Sequence, residues 1–315
     1  MSFQEENEIS INANGGTEIT KRLLSNYVPE NVYKNFQIIP SRIRDFDKNK
    51  KIIYWAHDLP EDPECQKIKY YDVRSKFSKI VFVSNWQANN FIDQFNLVQN
   101  DKICVIENPI EPMPILEKES SIIKLVYFST PHRGLEILVP VFEELCKKYA
   151  NIHLDVFSSF KIYGFNDGDF PYEYLFDRIK KHPNMTYHGS VNQKFLYEYL
   201  PTAHILAYPS IWKETSCRVL IESMSASLLC VHSSLGALPD TSGGMTDVYQ
   251  YQSDKQQHYK KFFDQLEKAI KNVLSEETKN KLLFVKKYAD MRFGIINIAK
   301  KWDDMMLELI DKGNS

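Results

Sequence analysis

Glu214 and Glu222 stand eight positions apart and bracket a short polar run, Thr215-Ser216-Cys217, where an apolar strand pattern gives way to a helical one. Along an ideal helix that spacing rises about 12 Å. Paired glycosidase carboxylates sit roughly 5–9.5 Å apart, so these two are too distant to attend one bond. They suit two grips on a long ligand, such as the sugar and the ribose of a nucleotide-sugar. The run Pro209-Ser210-Ile211-Trp212-Lys213 makes Glu214 pre-helical, which leaves the true separation open. The competing reading is two solvated acids, with Glu222 early in its helix, where a carboxylate suits the dipole.

Other polar clusters fall at the ends of apolar runs. Gly15-Gly16 precedes a helical pattern; two glycines let backbone amides approach an anion at a helix amino end, or simply make a turn capped by Thr17. His57-Asp58 follows the run Ile52-Ile53-Tyr54 and could bond a sugar or move a proton, or be a satisfied turn. Ser129-Thr130-Pro131-His132-Arg133-Gly134 opens a helical pattern with hydroxyls and an Arg whose planar fork suits a diphosphate. His188-Gly189 ends another run, and Gly236 follows a later one. There is no P-loop, no zinc spacing, no Gly-x-Ser-x-Gly elbow and no Asp-x-Asp step placed to hold a metal beside a diphosphate. The pattern therefore speaks against an ATPase, a zinc enzyme, a serine hydrolase and a metal-dependent sugar transferase.

The elements that must carry these residues alternate. Strands are expected at 36–40, 52–56, 79–84 and 103–107, with a weak one near 8–12, and helices near 17–27, 64–77 and 86–96. Three prolines within residues 109–114 mark a linker, because they are rigid and lack donors. Beyond it, strands at 123–128, 152–157, 184–188, 204–208, 228–232 and 247–251 alternate with helices near 133–149, 172–181, 192–201, 216–227 and 256–274. Runs such as Leu125-Val126-Tyr127-Phe128 are apolar on both faces, as parallel strands covered by helices must be. Two doubly wound α/β domains follow, with ligands at the carboxyl ends of the strands. The expected divisions are a short first domain over 1–110, a linker over 111–122, a second domain over 123–290, and a terminal helix over 291–315 with Trp302, Met305, Met306 and Leu309 on one face.

At 315 residues, 43% hydrophobic and 25% charged, the composition is that of a soluble globular protein. No apolar run approaches the ~20 residues of a membrane span, and the amino terminus lacks signal-peptide order. Five scattered cysteines read as thiols in a reducing compartment, which makes a cytoplasmic location the expectation. The net charge of −2 includes no basic block, which weakens nucleic-acid binding and strong attachment to anionic membranes.

Taken in order, these segments resemble the retaining glycosyltransferases of family four, whose GT-B fold sets two Rossmann-like domains across a central cleft, with a carboxyl-terminal helix returning toward the first. The similarity runs from about residue 12 to the end, and is strongest over 79–110 and 123–242. It rests on Ile80-Val81-Phe82-Val83-Ser84-Asn85-Trp86-Gln87, on Lys102 through Ile110, and on the E-x7-E motif itself. The resemblance implies a metal-independent, anomer-retaining transfer from a UDP- or GDP-linked sugar, bound by the second domain, to an acceptor hydroxyl held by the first, with no further cofactor. The acceptor would be a glycan, lipid-linked sugar or glycoprotein.

Residue by residue, Glu214 would contact the donor sugar and Glu222 the ribose. Thr215, Ser216, Cys217 and Arg218 would lie beside the sugar and diphosphate. Arg133 would hold phosphate, Gly15 and Gly16 would close over it, and His188 and Gly189 would join the donor site. His57, with Asp58, would stand at the catalytic wall. The chain departs from the pattern in three respects: Pro109 replaces a glycine, Ser129 or Thr130 stands where a first basic phosphate ligand is usual, and the amino domain is short, which leaves the acceptor unassigned by analogy. An epimerase or hydrolase of the same fold, and a non-catalytic nucleotide-sugar binder, are the competing readings.

Overall fold

A computed structural model describes residues 16–98, 100, 102–163 and 167–312. The weak strand near 8–12, and Gly15, lie outside the described residues. The chain forms two compact units, Met1–Glu111 with Met291–Ser315, and Pro112–Asp290.

The first unit is built on the parallel sheet β1 (Phe36–Pro40), β2 (Lys51–Ala56), β3 (Phe77–Phe82) and β4 (Ile103–Val105), paired in chain order. Residues alternate between its two faces, as the pleat dictates. Phe36, Ile38, Ile53, Trp55 and Val81 pack into one core with Ile298, Trp302, Met305 and Met306. Ile52, Tyr54, Ala56, Ile80 and Phe82 pack into the other with Cys65, Ile68 and Phe91. The helix Ile295–Asp311 thus covers the first sheet, with the Trp55 and Trp302 rings edge to face at 5.0 Å. The final stretch of chain is part of the first unit's core.

In the second unit all strands are parallel, in the order β10 (Asp247–Tyr249), β9 (Leu229–Ser233), β8 (Ile205–Tyr208), β5 (Ile123–Phe128), β6 (Ile152–Phe157), β7 (Met185–Tyr187). Chain order reverses between β5 and β8. This is the doubly wound dinucleotide-type order, and it opens a crevice at the carboxyl ends of those two strands.

Three helix expectations change. The span 64–77 is a 3-10 turn, Pro63–Lys69, and a single α-turn, Tyr71–Arg74. Extended Tyr70 separates them, and the buried Cys65 and Ile68 sit three apart, the repeat a 3-10 turn eclipses. The expected 133–149 helix begins only at Leu135 and ends at Cys146, because Gly134 at φ 122° breaks it from the 3-10 turn Pro131–Arg133. The E-x7-E helix is Arg218–Ser225, with Cys217 extended before it. An additional helix, Glu276–Phe293, precedes the terminal one.

Candidate functional site

The crevice of the second unit gathers the largest share of the candidate residues. Tyr127, next to last in β5, and Tyr208, the last residue of β8, are fully buried with ring centroids 5.9 Å apart. Tyr127 donates its hydroxyl to the Thr130 carbonyl (2.8 Å), fixing the loop after β5. Tyr208 donates to Glu214 Oε1 (2.6 Å), fixing the carboxylate after β8. Arg133 then reaches across, its Nη1 lying 2.8 and 2.9 Å from the two Glu214 oxygens. Ser129 Oγ is 3.5 Å from the Tyr208 hydroxyl, and Thr130 Oγ1 is buried with no partner among the described residues.

Two glycines make this approach possible. At Gly134 a Cβ would meet the Pro209 carbonyl oxygen at 2.2 Å, so only glycine lets the Arg133 turn lie on the β8 loop. At Gly236, φ +65°, a Cβ would meet both Glu214 N and O at 2.7 Å, while Ala237 N donates to the Glu214 carbonyl (2.8 Å). Glu214 is thus held by its side chain and by its backbone carbonyl, with Gly236 packed against its peptide. Gly236→Ala combines a left-handed φ with this clash. It is expected to displace Glu214, which thermal melting and donor calorimetry will register together as a lower melting point and a weaker sugar-nucleotide complex.

Glu222 is the fifth residue of its helix and belongs to a separate buried cluster. Arg218 Nη2 lies 2.5 Å from Glu222 Oε1, Tyr197 donates to the same oxygen at 2.9 Å, and Arg218 also donates to the Tyr197 hydroxyl at 3.1 Å. Both acids are therefore buried, Glu214 5% and Glu222 4% exposed, and the solvated-acid reading falls. Half-buried Thr215 and Ser216 connect them, and Cys217 is buried at the helix amino end. Burial first, then Glu214, pushes the Cys217 thiol well above its ordinary value, so it stays a neutral thiol. The Tyr208 hydroxyl is raised by the same two causes and remains a donor. Burial pulls Arg218 down, but Glu222 more than offsets it and Arg218 stays charged.

His188, following β7, stacks on Phe157 at 4.3 Å, and its Nε2 lies in hydrogen-bond contact with Asp155 Oδ1 at 2.7 Å. Gly189 beside it has φ +66° but ample space around a Cβ, so its requirement is conformational. The chain does hold two Asp-x-Asp steps. Asp169 accepts from Ser159 Oγ and Phe160 N, and Asp47 from Asn49 N, so both serve their own loops. No group of three metal-ligating side chains occurs among the described residues.

In the first unit, Ser41 Oγ accepts from His57 N (2.7 Å) and Asp58 N (3.1 Å), and Gln87 Nε2 donates to the Asp58 carbonyl (2.8 Å). The loop after β2 is thereby tied to β1 and to the helix Asn85–Phe95. Burial lowers the half-buried His57 ring to about 3 and raises Asp58 above the usual carboxylate range. His57 is a neutral hydrogen-bonding group, not a charged one. Gly16 is the exposed first residue of the helix Gly16–Ser25. Tyr208, Tyr197 and Gly236 are the supporting residues that sequence reasoning did not single out as site residues. A polar hydroxyl at the end of an all-apolar strand was the available signal for Tyr208.

Residues 123–275 match the family model described as Glycosyl transferases group 1. Comparison with curated proteins finds no match. Among solved structures, the chain is similar to a glycosyltransferase from Rickettsia africae, with TM-score 0.69 and 14% identity over 98% of this chain and 84% of that one. It is also similar to the pneumococcal O-GlcNAc transferase GtfA, solved with UDP and GlcNAc, with TM-score 0.66 and 12% identity over 93% and 60%. HepE from Anabaena, solved with UDP and glucose, gives 0.63 and 15% over 82% and 72%. The two Rossmann-like sheets are those of the GT-B glycosyltransferases.

Proposed function

We propose that this chain is an anomer-retaining, metal-independent glycosyltransferase that moves a sugar from a nucleotide-diphospho-sugar to an acceptor hydroxyl. The observation that carries the reading is the Arg133–Glu214 contact at the switch point between β5 and β8. It sets a cation suited to a diphosphate against an acid suited to sugar hydroxyls, beside the amino end of the helix Arg218–Ser225.

In this reading the diphosphate takes the Arg133 fork, the Ser129 and Thr130 hydroxyls and the amides entering that helix. Glu214 then addresses the sugar hydroxyls and Glu222 the ribose. His188 and Gly189 belong to the same donor site. Preorganised positive groups stabilise charge on the departing nucleotide, the term that must carry most of the rate enhancement. The acceptor attacks on the face the nucleotide leaves, and the leaving phosphate receives its proton. His57, held neutral, contributes a hydrogen bond, with Asp58 beside it, and not a charge. Similarity to GtfA and HepE, both solved with UDP, favours a UDP-sugar over a GDP-sugar.

A thermal-shift panel of UDP-, GDP- and ADP-sugars tests this directly. One class, at about 100 times its dissociation constant, is expected to add about 2.7 kcal/mol of stability and raise the melting point by several degrees. A flat response to all three sinks the reading.

A further inference from the structure

Next to Arg133, the second unit carries a run of aromatic rings that the donor reading does not use. Trp212 lies edge to face with His132 at 5.0 Å, His132 stacks on Phe160 at 5.2 Å and 17°, and Phe160 meets Tyr172 at 5.9 Å. Trp212 is 45% exposed, and Phe170, on the 3-10 turn that ends in Tyr172, is 76% exposed. Exposed rings joined in one run differ from singly exposed side chains: contiguous apolar surface marks a binding site, and ring burial is among the most favourable a surface can offer.

The run is also preorganised. Asp169 ties the loop after β6 back on itself, accepting from Ser159 Oγ at 2.5 Å and from Phe160 N at 2.7 Å. Gly168 passes directly over the Phe160 ring, where a Cβ would stand 2.7 Å from Phe160 Cβ and 2.9 Å from Cγ. Trp212 is anchored by the Ser210 hydroxyl, which accepts its amide at 3.3 Å and donates to its carbonyl at 3.0 Å. Burial, then Arg133, lowers His132 to about 4, so its ring is neutral near pH 7. A fixed line of uncharged rings suits a ligand with flat apolar faces rimmed by hydroxyls. A pyranose is such a ligand.

Position in the site decides which saccharide. Trp212 is two residues from Glu214, and the Arg133 guanidinium sits 6.0 Å from its ring. In the proposed donor orientation this is the sugar end, opposite the ribose end marked by Glu222. The acceptor must approach the anomeric carbon, which carries the diphosphate, from the face the nucleotide leaves, and rings beside the Arg133 phosphate grip flank that approach.

We propose that Trp212, His132, Phe160 and Tyr172, extended by Phe170, form a stacking platform on the second unit for a saccharide portion of the acceptor. The proposal rests on the donor orientation above and adds that the acceptor, or the part of it next to the new bond, is a glycan. A lipid or protein without sugar would leave the rings unoccupied.

The test is a titration of the full chain, with UDP present, against maltohexaose, cellohexaose and chitohexaose, read by intrinsic tryptophan fluorescence and calorimetry. At least one oligosaccharide is expected to bind saturably, with affinity falling ten-fold or more in Trp212→Ala and severalfold in Phe170→Ala. Phe170→Ala is expected to bind UDP as the wild type does. Binding that survives Trp212→Ala, or no saturable binding of any of the three, overturns the platform. A ring-dependent signal from uridine alone would instead assign the rings to the nucleobase and overturn it equally. Failure of the donor reading is scored separately, by the wild type binding none of the three nucleotide-sugar classes.

Discussion

Glu214→Gln is expected to lower kcat by about 10²–10³-fold, the scale on which loss of a single positioned electrostatic contact in an enzyme site acts, while nucleotide binding is spared. The substitution keeps the side chain's shape and an oxygen for the Tyr208 hydroxyl, which lies 2.6 Å from Glu214 Oε1. What it removes is the charge facing Arg133. Arg133 then has no carboxylate to leave when a diphosphate arrives, so calorimetry with the nucleoside diphosphate should give an affinity equal to or tighter than wild type. The sugar-nucleotide loses its hydroxyl acceptor, and its advantage over the bare nucleotide should shrink. Steady-state kinetics within ten-fold of wild type would rule out the sugar-binding role of Glu214.

Glu222→Ala acts differently, because it breaks a buried ion pair by removing one partner. Arg218 is only 9% exposed and its partner oxygen on Glu222 lies 2.5 Å away. Leaving such a cation uncompensated costs about 3–5 kcal/mol, so a melting point lower by roughly 10 °C is expected. Nucleotide affinity should fall at least ten-fold through loss of the ribose grip. The double variant Arg218→Met with Glu222→Leu separates the two effects. Removing both charges should restore most of the melting point and leave nucleotide binding weak. If calorimetry on the double variant returns wild-type nucleotide affinity, Glu222 is a structural acid only.

These two expectations differ because the structure splits a motif that looks symmetrical in the chain. From spacing alone, Glu214 and Glu222 were two similar acids at an uncertain separation. Folded, one is the partner of an Arg from another strand's loop, and the other of an Arg in its own helix. The Arg218–Glu222 pair was available to sequence reasoning, since four residues along a helix place side chains on one face. The Arg133–Glu214 pair was not, because 81 residues separate its members and only the β5–β8 pairing brings them together.

The amino-acid sequence by itself determined the alternation of strands and helices, the parallel class of both sheets and the positions of the strand-end clusters. These are properties of local pattern: doubly apolar short runs, amphipathic stretches and proline-rich punctuation. Helix limits beside Gly134 and Tyr70 escaped it, since single backbone conformations, not periodicity, set them there.

Tertiary structure alone decided which clusters meet. Crossover connections carry β5 and β8 side by side although about eighty residues lie between them, and buried Tyr127 and Tyr208 meet near their carboxyl ends at the switch point. Tertiary structure also decided the role of Gly236, which in the chain reads as a turn glycine. In the fold it is the one residue type that lets a neighbouring loop close on the Glu214 peptide without a Cβ in the way.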